Sequence, residues 1–178
     1  MNEKMLRGNV RVVLAYPEAF ADPTQPTTSE LNDLFVYGTN EAGMVFDISC
    51  ALLDDATTLN LTDSETDDTR TICDVGQVQN PTFQNYEVSL DALRDADVTA
   101  NGVFNLALEL FMGADRPFWA IKRIGGSNTT PFAVGDDIQM FGVTTDLPND
   151  LVEDGALLKI GGRFKPNGDL NFNYRLAA

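Results

Sequence analysis

A chain of 178 residues with a net charge of −15, no histidine and 43% hydrophobic residues has enough apolar side chain for one sizeable core, which excludes wholesale disorder. Its field repels phosphate, so a conventional grip on nucleic acid is not expected. The lack of His removes the usual base of Ser and Cys nucleophiles and a common zinc ligand, and no stretch approaches about 18 apolar residues, so no transmembrane helix is expected.

The charge is unevenly placed. Between Arg11 and Arg70 there is no Lys or Arg, against twelve Asp and Glu, while both ends of the chain are basic. That polarity suits head-to-tail assembly better than a solitary domain.

In chain order, the bases Lys4, Arg7 and Arg11 surround the apolar run Val10–Leu14, which is too short and interrupted for a signal peptide; folding in a reducing cytoplasm is expected. Residues 15–30 contain Pro17, Pro23 and Pro26 without sustained periodicity and read as an extended arm. The expected organisation is an arm over 1–30 and a single domain over 31–178.

Val45–Leu53 alternates as a half-buried strand, with Phe46, Ile48, Cys50 and Leu52 inward. Thr69–Val78 is β-branched and reads as a second strand, forming a hairpin that sets Cys50 roughly opposite Cys73. Both thiols are expected reduced and half-buried. The connection Asp54–Asp68 reads as a long acidic loop. Thr82–Ala92 alternates with Tyr86, Val88 and Leu90 inward and Asn85, Glu87, Ser89 and Asp91 outward. The period then changes: Val103, Phe104, Leu106, Ala107, Leu110 and Phe111 recur at helical spacing, with Asn101 or Thr99 as cap and Gly113 as stop. Arg116–Ile124, Asp137–Thr144 and Ala156–Phe164 are further strands. Lys165–Asp169 reads as a turn, and Leu170–Leu176 as the returning strand. About seven strands and one helix predict a mostly β protein, a β-sandwich with a flanking helix.

No constellation carries chemistry. Asp63, Glu65, Asp67 and Asp74 approach the spacing of a calcium loop, but Asp68 stands where that loop requires Gly. The carboxylate pairs Asp54–Asp55, Asp67–Asp68 and Asp136–Asp137 are sequence neighbours, which strand geometry sends to opposite faces, so they make no glycosidase pair. There is no phosphate-binding loop and no nucleophile elbow. Neither an enzyme, a cofactor nor a bound metal is expected.

The order of elements resembles the major tail tube protein of long-tailed, siphophage-type bacteriophages. The matching run is Phe46–Cys50, the acidic loop Leu61–Thr69, Gly76–Thr82 leading into the alternating strand, one helix, Pro117–Arg123, Phe141–Val143 and Ile160–Phe164. The resemblance implies a β-sandwich or barrel-like tail-tube fold with one flanking α-helix and a long β-hairpin loop. It also implies six copies in a ring, rings stacked into a hollow tube, and an inner β-barrel; an acidic lumen is expected, through which DNA passes without specific binding.

On that footing Asp47, Ser49, Glu87, Ser89 and Asp91 are lumen-lining candidates. Asp54, Asp55, Asp63, Glu65, Asp67 and Asp68 are ring-stacking loop candidates, and Lys4, Arg7, Arg11, Lys159, Arg163, Lys165 and Arg175 are bases for subunit interfaces. Expected partners are further copies of the chain and the tape measure, tail terminator and baseplate proteins, with assembly in the host cytoplasm and residence in the virion tail, not a membrane. The alternatives are a tail terminator or head–tail connector of related fold, which caps a tube once, and an acidic calcium-binding β-sandwich module.

Overall fold

Antiparallel strands build the body of the molecule. The computed structural model describes residues 9–36, 43–67, 80–151 and 157–178. Among them run the strands β1 (Val10–Ala15), β2 (Val45–Asp47), β3 (Thr58–Leu61), β4 (Glu65–Asp67), β5 (Asn80–Phe83), β6 (Tyr86–Leu93), β7 (Pro117–Ile124), β8 (Asp137–Thr145), β9 (Asn149–Leu151) and β10 (Lys159–Arg175), with helices α1 (Thr28–Leu31) and α2 (Val103–Phe111). Eight strands make one antiparallel sheet in the order β2-β1-β7-β8-β10-β6-β3, with β9 also on β10; β4 and β5 form a separate ribbon.

The 17-residue strand β10 belongs to both halves of this sheet. Residues 159–163 pair with β6, and 159–161 also with β9, whereas from Phe164 the strand pairs with β8. The sheet therefore divides at β10 into a larger layer, β2-β1-β7-β8-β10, and a smaller one, β9-β10-β6-β3. Val12, Leu14, Phe118, Phe141 and Val143 of the larger layer share a core with Leu59, Val88, Leu90 and Ile160 of the smaller one. Helix α2 adds Leu106, Ala107, Leu110 and Phe111 to it. The helix lies where its period places it, but its N-cap is Gly102, with no side-chain cap. Thr99 instead closes a turn on Asp97. Asn105 is buried, donating to the Asp97 and Ala100 carbonyls.

The expected turn at Lys165–Asp169 is a bulge inside β10. Four steps from Pro166 to Leu170 face two on β8, from Val143 to Phe141, so the surplus residues are pushed out of the ladder while the strand continues. Gly168 takes φ +96°, which the bulge requires. Beneath it, a Cβ on Gly142 would come within 2.4 Å of Asn167 Oδ1. Tyr86 ties the bulge to β6: its hydroxyl donates to the Gly142 carbonyl and accepts the Gly168 amide at 3.2 Å.

The expected arm is corrected over the described part of 1–30. Val10–Ala15 forms β1, between β2 and β7, with Val12–Ala15 buried. The prolines are tolerated because residues 16–31 cover a sheet face instead of joining the ladder. Phe20 and Leu31, with Phe132 from the β7–β8 connection, bury Val13, Ala15, Trp119, Ile121, Ile138 and Met140. Thr27 and Glu30 form a capping box that starts α1. Desolvation opposes ionisation of Glu30, but hydrogen bonds from the Ala21 and Thr27 amides and the Thr27 hydroxyl outweigh it and hold its pKa below the usual glutamate range.

Two buried arginines fasten the β7–β8 connection to this face. Arg11 and Arg123 stand opposite each other on β1 and β7, 3% and 1% exposed. Their like charges are offset by Asp47, 2.8 Å from Arg11, and Asp136, 3.3 Å from Arg123. Both guanidinium groups donate to the Thr130 carbonyl and lie over the Phe132 ring at 4.9 and 5.1 Å. Replacing Arg123 by Met removes the donor to Ser127, Thr130, Pro131 and Asp136 and is expected to cost about 3–5 kcal/mol. Urea unfolding checks this; an unchanged midpoint would show that the connection is held by other contacts.

Candidate assembly surface

The polar face of the smaller layer is set by strand parity. With Val88, Leu90 and Ile160 in the core, the intervening positions point outward: Thr58 and Asn60 on β3, Glu87, Ser89 and Asp91 on β6, Lys159 and Arg163 on β10. The register puts Glu87 beside Asn60, and Ser89 between Thr58 and Arg163. Glu87 and Arg163 are exposed, Ser89, Asp91 and Lys159 half-buried. Two carboxylates thus share the face with two bases. Desolvation raises the pKa of Asp91, Lys159 lowers it and Asp55 raises it, with the net direction upward.

The five lumen candidates fall on two surfaces. Asp47 and Ser49 lie at the end of β2, in the larger layer. Asp47 is bound by Arg11, and the Ser49 hydroxyl accepts the Val12 amide at 2.9 Å and sits 2.7 Å from Asp47 Oδ1. The strand expected to run to Leu53 stops at Asp47, because the chain turns there, with the Ala51 amide on the Ile48 carbonyl. It then crosses to the smaller layer, where Leu52 bridges Ala92. The turn buries Ala51 and exposes Cys50, against the expected half-buried thiol. β2 pairs with β1; Cys73, Asp74 and strand 69–78 of the expected hairpin lie outside the described residues.

The acidic stretch 54–68 contains structure. Within it β3 pairs with β6, burying Leu59, because Thr58–Leu61 is a short alternating strand in acidic surroundings. Asp54 and Asp55 are exposed before β3 and Asp63 just after it; Glu65 and Asp67 belong to β4, and Asp68 lies outside the described residues. Among the bases, Lys4 and Arg7 also lie outside them. Arg11 is corrected: buried and paired within its own chain, it has no surface to offer another subunit. Lys165 pairs with Asp146 at 2.7 Å and Arg175 with Asp137 at 3.4 Å, all substantially exposed, so each pair contributes little to stability.

The smaller layer ends in two strand edges. The Thr62 amide donates to the Asn85 carbonyl, which fixes the alternation of bonded pairs along β3 and β6. Thr58 and Asn60 bond to β6, while the amides and carbonyls of Leu59 and Leu61 point away from it. One of these groups is engaged: Lys122, reaching from β7, donates its ammonium to the Leu59 carbonyl at 2.6 Å. Sequence reasoning passed over Lys122; its signal is a lysine directly after the apolar run Phe118–Ile121. At the other edge, β9 pairs with β10, and no strand among the described residues lies on its far side.

A polar sheet face bounded by strand edges equips a protein to associate with others through its backbone. The family model for the phage tail tube protein matches residues 1–178, and the chain belongs to that family, as a structural component of the phage tail. No curated protein matches it.

Asp91 offers a check on this face. Its raised pKa means that the folded subunit binds the proton more tightly than the unfolded chain, so its contribution to stability falls as pH rises through the interval between the two values. Asp91→Asn is therefore expected to raise the urea midpoint of the free subunit at pH 7, with the gain disappearing below the ordinary aspartate pKa. A lower midpoint at pH 7 would mean that Lys159 outweighs burial.

Proposed function

We propose that the chain forms closed rings of six copies that stack into the tail tube, with the smaller layers joined edge to edge as the tube's inner wall. The observation that supports this most is the composition of that layer. From β3 through β6 and β10 to β9, each strand is antiparallel to the next, so β9 of one copy meets β3 of another without breaking the alternation. Such a contact is heterologous, and repeated rotation closes it into a ring that leaves no exposed edge.

In this arrangement the outward positions Glu87, Ser89 and Asp91, with Lys159 and Arg163, line the bore; Asp47 and Ser49 belong to the larger layer outside it. The lining is hydrophilic and mixed in sign, within a strongly acidic subunit, so DNA passes without a continuous basic track to hold it. The ribbon β4-β5 continues the β3–β6 pair and, with Asp54, Asp55, Asp63 and Asp68, contacts the next ring. Assembly takes place in the host cytoplasm, with the tape measure, terminator and baseplate proteins setting the ends of the tube.

The Leu61 amide points away from β6, so Leu61→Pro leaves the subunit's own ladder intact and removes an edge donor. Loss of tubes in electron micrographs, at an unaltered melting temperature, is expected; tubes at the normal rate would move the interface elsewhere. Glu87→Lys with Asp91→Lys is expected to leave tubes intact and make DNA adhere inside them. Retention should weaken with salt by a log–log slope of roughly 0.9 per added phosphate contact. Unhindered passage at low salt would place this face on the outside.

A further inference from the structure

Beneath the β3 edge the two layers enclose an open cavity of about 460 Å3, lined by Val12, Leu52, Asp54, Leu59, Asn60 and Lys122 among others. Lys122 enters it because it stands opposite Val12 across β7 and β1, on the face that looks toward the smaller layer. Its ammonium donates to two neutral oxygens, the Leu59 carbonyl at 2.6 Å and Asn60 Oδ1 at 3.2 Å, and burial pushes its pKa below the usual lysine range. This cation thus occupies an acceptor on the edge that the ring needs.

The complementary group stands at the opposite edge. In β9, Asp150 lies opposite Ile160 of β10. Ile160 is a core residue, so Asp150 shares the inward side of the layer. Its side chain is nevertheless 67% exposed, resting on Arg94 at 3.1 Å. A strand added to β3 sends its inward side chains toward the cavity, and the inward position of β9 is a carboxylate.

We propose that Asp150 of an adjoining copy enters this cavity and pairs with Lys122, drawing the ammonium off the Leu59 carbonyl and releasing that carbonyl to the incoming strand. The proposal rests on the edge-to-edge ring and adds its register: β9 in the phase that brings Asp150 over Lys122 supplies the counter-charge. A one-residue slip turns Asp150 to the opposite face and leaves a desolvated cation. An apolar side chain in the cavity has the same defect. In the free subunit Lys122 closes the edge, and its exchange of partners couples docking to exposure of the backbone.

The test is the critical concentration for tube assembly in D150N, K122M and the double variant. D150N changes an exposed side chain and is expected to raise the critical concentration about tenfold or more, since docking then covers the half-buried ammonium without a counter-charge. K122M keeps most of the side-chain volume while removing the charge, and added to D150N it is expected to recover most of the loss. D150N assembling at the normal concentration overturns the proposal, and so does a double variant worse than D150N. Leu61→Pro separates the two levels: if it assembles normally, the edge-to-edge ring fails, whereas if it blocks assembly and D150N is neutral, the Lys122–Asp150 pairing alone fails.

Discussion

One strand carries the architecture. β10 supplies hydrogen bonds to β8 along its second part and to β6 and β9 along its first, so the two layers are a single ladder and cannot separate without breaking it. The position at which the strand passes from one layer to the other is anchored by the bulge between Pro166 and Leu170 and by Tyr86, which reaches the bulge from the smaller layer. The core, helix α2 and the placement of the polar face all follow from that anchorage.

The two layers are finished differently. The larger is buried on both faces, by the main core on one side and by residues 16–34 and Phe132 on the other, and its β2 edge is partly covered by the Leu34–Phe35 backbone. The smaller has one buried face, one polar face and two edges, β3 and β9, beyond which no strand lies among the described residues. A monomer has no need to leave those edges uncovered, whereas a ring built through them consumes both. The buried Arg11–Arg123 pair belongs to the finished half: those charges hold a connection in place and are not available for association.

Legibility in the sequence followed burial pattern. β6 is buried at alternate positions, and its strand and inward residues were readable from that alternation; helix α2 was readable from its period. β1 is buried at five of six positions, including Arg11, and a short apolar run carrying a charge, next to prolines, gives no period to detect. β3 was concealed by its brevity and acidic neighbours. The sequence Lys165–Asp169 has the composition of a turn, and only pairing with β8 distinguishes a bulge from a reversal. Parity assigns side chains to a face but not to a layer, which is why Asp47 and Ser49 were grouped with Glu87 and Asp91. Lys122 becomes conspicuous only once β7 and β3 are seen to meet across the cavity. The resemblance to the family was legible in the order of elements, which survives these local errors.

The most direct measurement is a high-resolution electron cryomicroscopy reconstruction of tubes assembled from the purified protein. The account predicts an inner wall in which β9 of each copy is hydrogen-bonded to β3 of the next, with Glu87, Ser89 and Asp91 facing the bore. A reconstruction with the β3 edge unpaired, or with that face turned to the exterior, would contradict it.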